Sequence, residues 1–164
     1  MRAEDILKLK VMDIGSGTTI GSATGILIDA DKKHVVALQI GGSLLSCPDY
    51  LPFESIKSID NDVLTISSSK VLVDQEEFKT FRLVGNLNGR KVFTEDGKDL
   101  GTVHGFDVDT RNGDITFITV ALDKAMMGGL WRSAGERFDI PRNLISTLGD
   151  SVVVDSSVPN KKVE

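Results

Sequence analysis

Few residues of this chain could do covalent or metal chemistry. It holds two histidines, His34 and His104, and a single cysteine, Cys47. A nucleophile needs a neighbouring base, and a general base needs a pKa matched to its task. No His or Lys adjoins Cys47 to lower its pKa, and beside Pro48 it reads as a loop residue. His34 adjoins a turn and His104 enters a strand, so a solvated or strand-face histidine accounts for each. Asp107-Val-Asp109-Thr-Arg-Asn-Gly113 has a superficial calcium-loop spacing, but Arg111 stands at the third ligand position and no Glu at the twelfth. Gly15-Ser-Gly-Thr-Thr-Ile-Gly21 lacks the dinucleotide spacing and leads into a strand pattern, where phosphate binding needs a helix N-terminus. The expectation is no catalytic residue, no metal and no cofactor.

Recognition chemistry is better represented. The segment from Lys124 to Arg137 places Met126, Met127, Leu130 and the sole tryptophan, Trp131, between strand patterns, flanked by Arg132 and Arg137. Loops are ordinarily polar, whereas Trp, Met and Arg are enriched where partners dock. These residues are the candidate partner-binding surface, with Leu44 and Leu45 in the shorter equivalent loop as possible mates. The competing reading makes the segment a plug over its own barrel, or a contact with the first half of the chain.

The elements that must position these residues are strands. Val, Ile and Thr make up 40 of 164 residues, 16 Gly punctuate them, and no window carries helical periodicity long enough to bury a stripe. A self-similarity at an offset of 80 organises the chain. Leu7 answers Leu87, Ile20-Gly21 answers Leu100-Gly101, Gly25-Ile26 answers Gly105-Phe106, and Ile28-Asp29 answers Val108-Asp109. A one-residue slip is open in the first strand, where Lys10-Val11-Met12 reads better against Lys91-Val92-Phe93. Past the third strand the offset becomes 89: Pro52, Ile56, Ile59, Val63 and Leu64 answer Pro141, Ile145, Leu148, Val152 and Val153. Strands of four to seven residues are expected, with tight turns at Gly15–Gly17, Ala30–Lys33, Glu95–Lys98 and Thr110–Gly113.

Strict alternation turns Ile26, Ile28, Val36, Leu38 and Ile40 inward in the first copy, and Phe106, Val108, Ile118 and Val120 in the second. The opposite face is apolar too: Val35 and Ala37 answer Ile115 and Phe117, and such a face needs cover from the sister copy or another chain. The expected organisation is a first repeat over 1–75, a second over 76–155 and a flexible tail over 156–164.

In order and in duplicate, these motifs resemble the PRC-barrel family, small β-barrels found in the H subunit of photosynthetic reaction centres and in a ribosome-maturation factor. Gly89-Arg-Lys-Val92, Asp96-Gly97, Leu100-Gly101, Phe106-Asp-Val-Asp109, Ile115–Val120 and Phe138-Asp-Ile-Pro141 carry the likeness in the second copy. Ile20-Gly21, Gly25–Asp29, Val35–Ile40 and Leu51-Pro-Phe-Glu-Ser-Ile56 carry it in the first. The resemblance implies an all-β protein of two tandem, closed or nearly closed antiparallel barrels. It implies no catalytic residues and a docking role, without choosing the partner.

Charge bounds the partner class. With 19 basic and 24 acidic residues the net charge is −5, which argues against a surface built for nucleic-acid phosphates. Residues 1–79 carry 8 basic and 12 acidic side chains and residues 80–164 carry 11 and 12, so a docking copy is expected to be the second. The start has no apolar signal core and no apolar run is long enough to span a bilayer, which points to the cytoplasm. The expected function is a non-catalytic adaptor that binds another protein or complex and can self-associate. A ribosome- or RNA-associated assembly factor, and an enzyme with a site shared between chains, are the alternatives.

Overall fold

The computed structural model describes residues 1–41, 49–122, 126–127, 130–131 and 136–158, with 126, 127, 130 and 131 described through their backbone alone. The chain divides into two compact units, 1–86 with 108–114, and 87–107 with 115–158 and beyond.

In the first unit β1 (Lys10–Asp13), β2 (Thr18–Asp29), β3 (His34–Gly41), β4 (Asp49–Pro52), β5 (Ile56–Ile59) and β6 (Val63–Ile66) form a curled sheet in the order β4-β3-β2-β1-β6-β5. A short β7 (Leu83–Val84) pairs with the end of β2. In the second unit β8 (Lys91–Thr94), β9 (Asp99–Val108), β10 (Ile115–Ala121), β13 (Arg137–Pro141), β14 (Ile145–Leu148) and β15 (Val152–Val154) repeat that order as β13-β10-β9-β8-β15-β14. Between β10 and β13, β11 (Met126–Met127) and β12 (Leu130–Trp131) form a separate two-stranded ladder.

The fold is the expected all-β pair of tandem barrels, with one ladder in each sheet, β1·β6 and β8·β15, running parallel. In each unit the two edge strands are consecutive in the chain, linked by a single 3-10 turn, Phe53–Ser55 or Arg142–Leu144. The only helix among the described residues is one turn, Ala3–Ile6, which buries Ala3 and Ile6.

Alternation places the cores. Ile26, Ile28, Leu38 and Ile40 are buried in the first unit, and Phe106, Val108, Ile118 and Val120 are buried as well. Each such side chain contributes roughly 1.5–3 kcal/mol by leaving water. Val36 is the exception and is only half-buried. Ile28 pairs with Val35 and Leu27 with Ala37, so Val36 is the extra residue of a β-bulge and leaves the inward register.

Several sequence expectations are corrected by the ladders. β2 and β9 run to twelve and ten residues where strands of four to seven were expected, because bulges let one long strand bend. The offset in the first strand is 81: Val11 faces Gly21 and Leu64, and Val92 faces Gly101 and Val152. Leu87, fully buried, thus matches buried Ile6 rather than half-buried Leu7. In the last strand Val152 and Val154 match Leu64 and Ile66 at an offset of 88, since the turn before β15 is one residue shorter. Of the expected tail, residues 156–158 are described, and Val158 packs on the unit. Val158 is 2% exposed, and the backbone carbonyl of Asp155 accepts from its N–H at 3.1 Å.

All four predicted turns form, and in each a residue with positive φ closes it: Gly17, Lys33, Gly97 and Gly113. A closer constraint acts at Gly21 and Gly101, one repeat apart. A Cβ on Gly101 would lie 2.1 Å from the Ala121 carbonyl oxygen, and one on Gly21 2.5 Å from that of Gly41. No other residue lets those strands approach so closely.

Candidate functional site

The sequence-derived site residues fall into two groups. Leu44, Leu45, Cys47 and Arg132 lie outside the described residues, as do the side chains of Met126, Met127, Leu130 and Trp131. The backbone of that segment is nonetheless a hairpin, with Met126 opposite Trp131 and Met127 opposite Leu130. Arg137 opens β13 and is exposed. Of the apolar opposite face, Val35, Ala37 and Ile115 are buried, whereas Phe117 is half-buried. Ala37 stands across from Pro52 in its unit and Phe117 across from Pro141 in its own.

Within the first unit a different feature emerges, a groove of about 1170 Å³. Its first wall begins at Val35 and Val36 of β3 and continues through Pro52, Phe53 and the whole of β5. Pro52 ends β4 because its fixed φ and missing N–H suit the entry to the Phe53–Ser55 turn rather than a longer ladder. The second wall is the segment after β6. Ser68 caps a 3-10 turn by accepting from the Lys70 N–H at 3.2 Å, and Asp74 caps the next by accepting from the Glu76 N–H at 3.1 Å. Between these caps Val73 exchanges two backbone hydrogen bonds with Tyr50, at 2.9 and 2.8 Å. The Thr110–Asn112 turn closes one end.

Three aromatic rings set the character of this wall. Phe78 is buried, with ring centroids 6.4 Å from both Tyr50 and Phe81. Phe81 is 36% exposed and lines the groove, one of two large apolar side chains so exposed among the described residues.

The second wall is tethered by a buried carboxylate. Asp13, 7% exposed, accepts from the Ser69 N–H at 3.1 Å, the Gly15 N–H at 2.8 Å and the Ser16 N–H at 3.2 Å. These bonds, that from Ser69 foremost, hold its carboxyl below the usual carboxylate range. Asp13 therefore fixes both the β1–β2 turn and the start of the aromatic segment. Its counterpart in the second unit is Thr94, which serves its own turn by accepting from the Lys98 N–H at 2.9 Å.

Around the groove stand Lys32, Lys57, Lys70 and Arg111, against Glu54 and Glu77. Arg111 grips Asp109 through Nη2 at 2.9 Å and Nε at 3.2 Å, which brings the Asp109 carboxyl down to about 2 and leaves the Arg111 charge largely answered. The same pair shows why the calcium-like spacing is a hairpin turn: a guanidinium occupies its carboxylate. His34 Nδ1 lies 3.8 Å from Asp114 Oδ1 at the groove margin, and His104 is exposed on β9. Among the described residues no three His, Cys, Asp or Glu side chains gather as a metal site, and no helix is long and apolar enough to cross a membrane. The groove offers apolar contact, a strand edge and positive charge, which are means of binding.

No motif or spacing in the sequence singled out residues 74–77, Lys57 or Lys70. The missed signal is Phe78 and Phe81, two aromatics three apart in a segment with no strand pattern to bury them.

Comparison with known proteins agrees with the doubled topology. The model of the PRC-barrel domain matches residues 1–73 and again 79–158. Among curated proteins none matches the chain. With the same strand order built twice and a family match over nearly its whole length, the chain belongs to the PRC-barrel family as a tandem of two such domains.

Proposed function

We propose that this tandem PRC-barrel protein is a non-catalytic adaptor that binds another protein or protein complex. The observation that carries this reading is the groove on the first unit, with buried Phe78 behind exposed Phe81. Its volume is about 1170 Å³, and it follows four consecutive residues of β5, a length of contact that suits a stretch of polypeptide. Exposed aromatic side chains beside apolar walls are the usual anchors of protein interfaces. The Met126–Trp131 hairpin, with Arg132, Arg137, Leu44 and Leu45, is proposed as a second contact surface, and half-buried Phe117 as a contact between subunits. A cytoplasmic site of action belongs to the same proposal.

The test is affinity capture from the source cells with and without nuclease, followed by titration of the purified captured protein against the purified chain. The adaptor reading expects capture that survives nuclease and direct binding weakened about tenfold or more by Phe81→Ala, an anchor loss of roughly 1.4 kcal/mol or more. Capture that vanishes with nuclease favours the RNA-associated alternative. Direct binding lost on His34→Ala or His104→Ala, with Phe81→Ala silent, points away from an apolar docking surface.

A further inference from the structure

One wall of the groove is the open edge of a sheet. Among the described residues, β5 pairs with β6 on one side and with no strand on the other. Among the described residues, no backbone hydrogen bond from beyond that ladder reaches Lys57, Ser58 or Ile59. The groove meets four consecutive residues of this strand, Ile56, Lys57, Ser58 and Ile59. Successive side chains leave a strand on opposite faces, so a cavity touching all four runs along the edge, where unpaired N–H and C=O groups point. An open edge beside an apolar groove is the geometry of strand addition, in which main-chain hydrogen bonds give affinity and pockets for alternate side chains give specificity.

Charge selects the incoming strand. Lys57 sits on the edge at the bulge between Ile56 and Ser58, and Lys57 and Lys70 make no ion pair among the described residues. Lys57 stands on the edge strand itself, whereas Glu54 precedes it in the Phe53–Ser55 turn and Glu77 lies in the facing segment, in a chain whose acidic residues exceed its basic ones by 24 to 19. The same residue disfavours a second copy. Pairing β5 with itself would set both copies' Lys57 on one four-residue ladder, and an edge lysine at a bulge is a common device against edge-to-edge association. An acidic strand meets that lysine with opposite charge.

We infer, resting on the adaptor reading above, that the groove takes an extended partner segment of alternating apolar and acidic residues, added as a strand to β5. Its apolar side chains enter the groove toward Phe53 and Phe81, and its carboxylates meet Lys57 and Lys70.

The test is fluorescence anisotropy with the full-length protein and a labelled eight-residue peptide alternating Val and Glu. Controls are the same peptide with Lys for Glu, and two versions N-methylated at one or the other set of alternate residues. The Val–Glu peptide is expected to bind saturably and about tenfold or more tighter than Val–Lys, with one N-methylated version losing binding by a similar factor. Lys57→Glu reverses the charge preference, and Phe81→Ala weakens binding about tenfold while circular dichroism and the melting curve still report a folded protein. Equal binding of Val–Glu and Val–Lys, indifference to both N-methylation patterns, or no binding overturns the inference. Light scattering that finds a dimer dissolved by Phe81→Glu overturns it in favour of a second copy as occupant. A purified partner protein that binds regardless of Phe81→Ala and Lys57→Glu removes this inference and leaves the adaptor reading standing. Absence of any protein partner removes the adaptor reading itself.

Discussion

The two units run the same strand order from sequences that share little beyond glycines, turn residues and alternation, and their differences fall outside the common ladder. The first unit spends residues 69–81 on an aromatic wall held by Asp13, while the second has Thr94 at the matching turn and a hairpin, Met126–Trp131, inserted before its β13. Duplication kept the sheet in both and varied the accessory segment in each. Function is therefore to be sought where the accessory segments stand, which in the first unit is the aromatic wall facing the open edge of β5.

The largest effect expected on the shared frame is at Gly101. Its φ of +123° and the 2.1 Å approach of the Ala121 carbonyl to any Cβ leave no room for Gly101→Val, which should cost about 4 kcal/mol or more, read by urea unfolding. Gly21→Val, with less overlap and an ordinary φ, should cost less, and equal losses would show that the two copies are tighter equivalents than their glycines indicate.

Next comes the equivalent pair Ala37 and Phe117. Ala37 is fully buried opposite Pro52, so Ala37→Phe should overpack the first unit by roughly 1–3 kcal/mol. Phe117 is half-buried opposite Pro141, so Phe117→Ala should cost about 1.5 kcal/mol or less in the monomer. A larger loss at Phe117 that grows with protein concentration would identify it as a subunit contact.

Acid should loosen the first unit's aromatic wall selectively. The folded-state pKa of Asp13 lies below its ordinary 3.8, so its contribution is complete above about pH 4 and is lost as pH falls through that lowered value. Asp13→Asn should lower the melting temperature at pH 7 and flatten the decline in stability below pH 4. Hydrogen exchange should quicken at Ser69 and its neighbours, and a pH dependence like the wild type's would show that the tether does not govern the wall. The smallest effect expected is at Lys33. Lys33→Gly should stabilise by up to about 1 kcal/mol by relieving φ +55°, the one positive φ among the described non-glycine residues, and bring that turn to the state of its counterpart Gly113.

The ladder was legible in the sequence wherever alternation and turn chemistry agreed. Ile26, Ile28, Leu38 and Ile40 take the positions their spacing dictates, and all four turns form where Gly or Asp stands. Val36 escaped because a bulge adds a residue without any composition mark; the offset of 81 was already open in the Lys10–Met12 and Lys91–Phe93 likeness, while that of 88 escaped because a single residue was lost in a turn. The groove was less legible still. Its aromatic wall is non-periodic chain held by caps at Ser68 and Asp74 and by the distant Asp13 carboxylate, a tertiary contact across 56 residues that no local pattern encodes.

The central claim is that binding belongs to the first unit's groove. Hydrogen exchange on the chain alone and with its purified captured partner tests it most directly. Amides of Ile56–Ile59 and of the Val71–Phe81 segment are expected to slow about tenfold or more on binding, as an added strand pairs with the open edge. Unchanged exchange at those amides, with protection appearing only elsewhere in the chain, would contradict it.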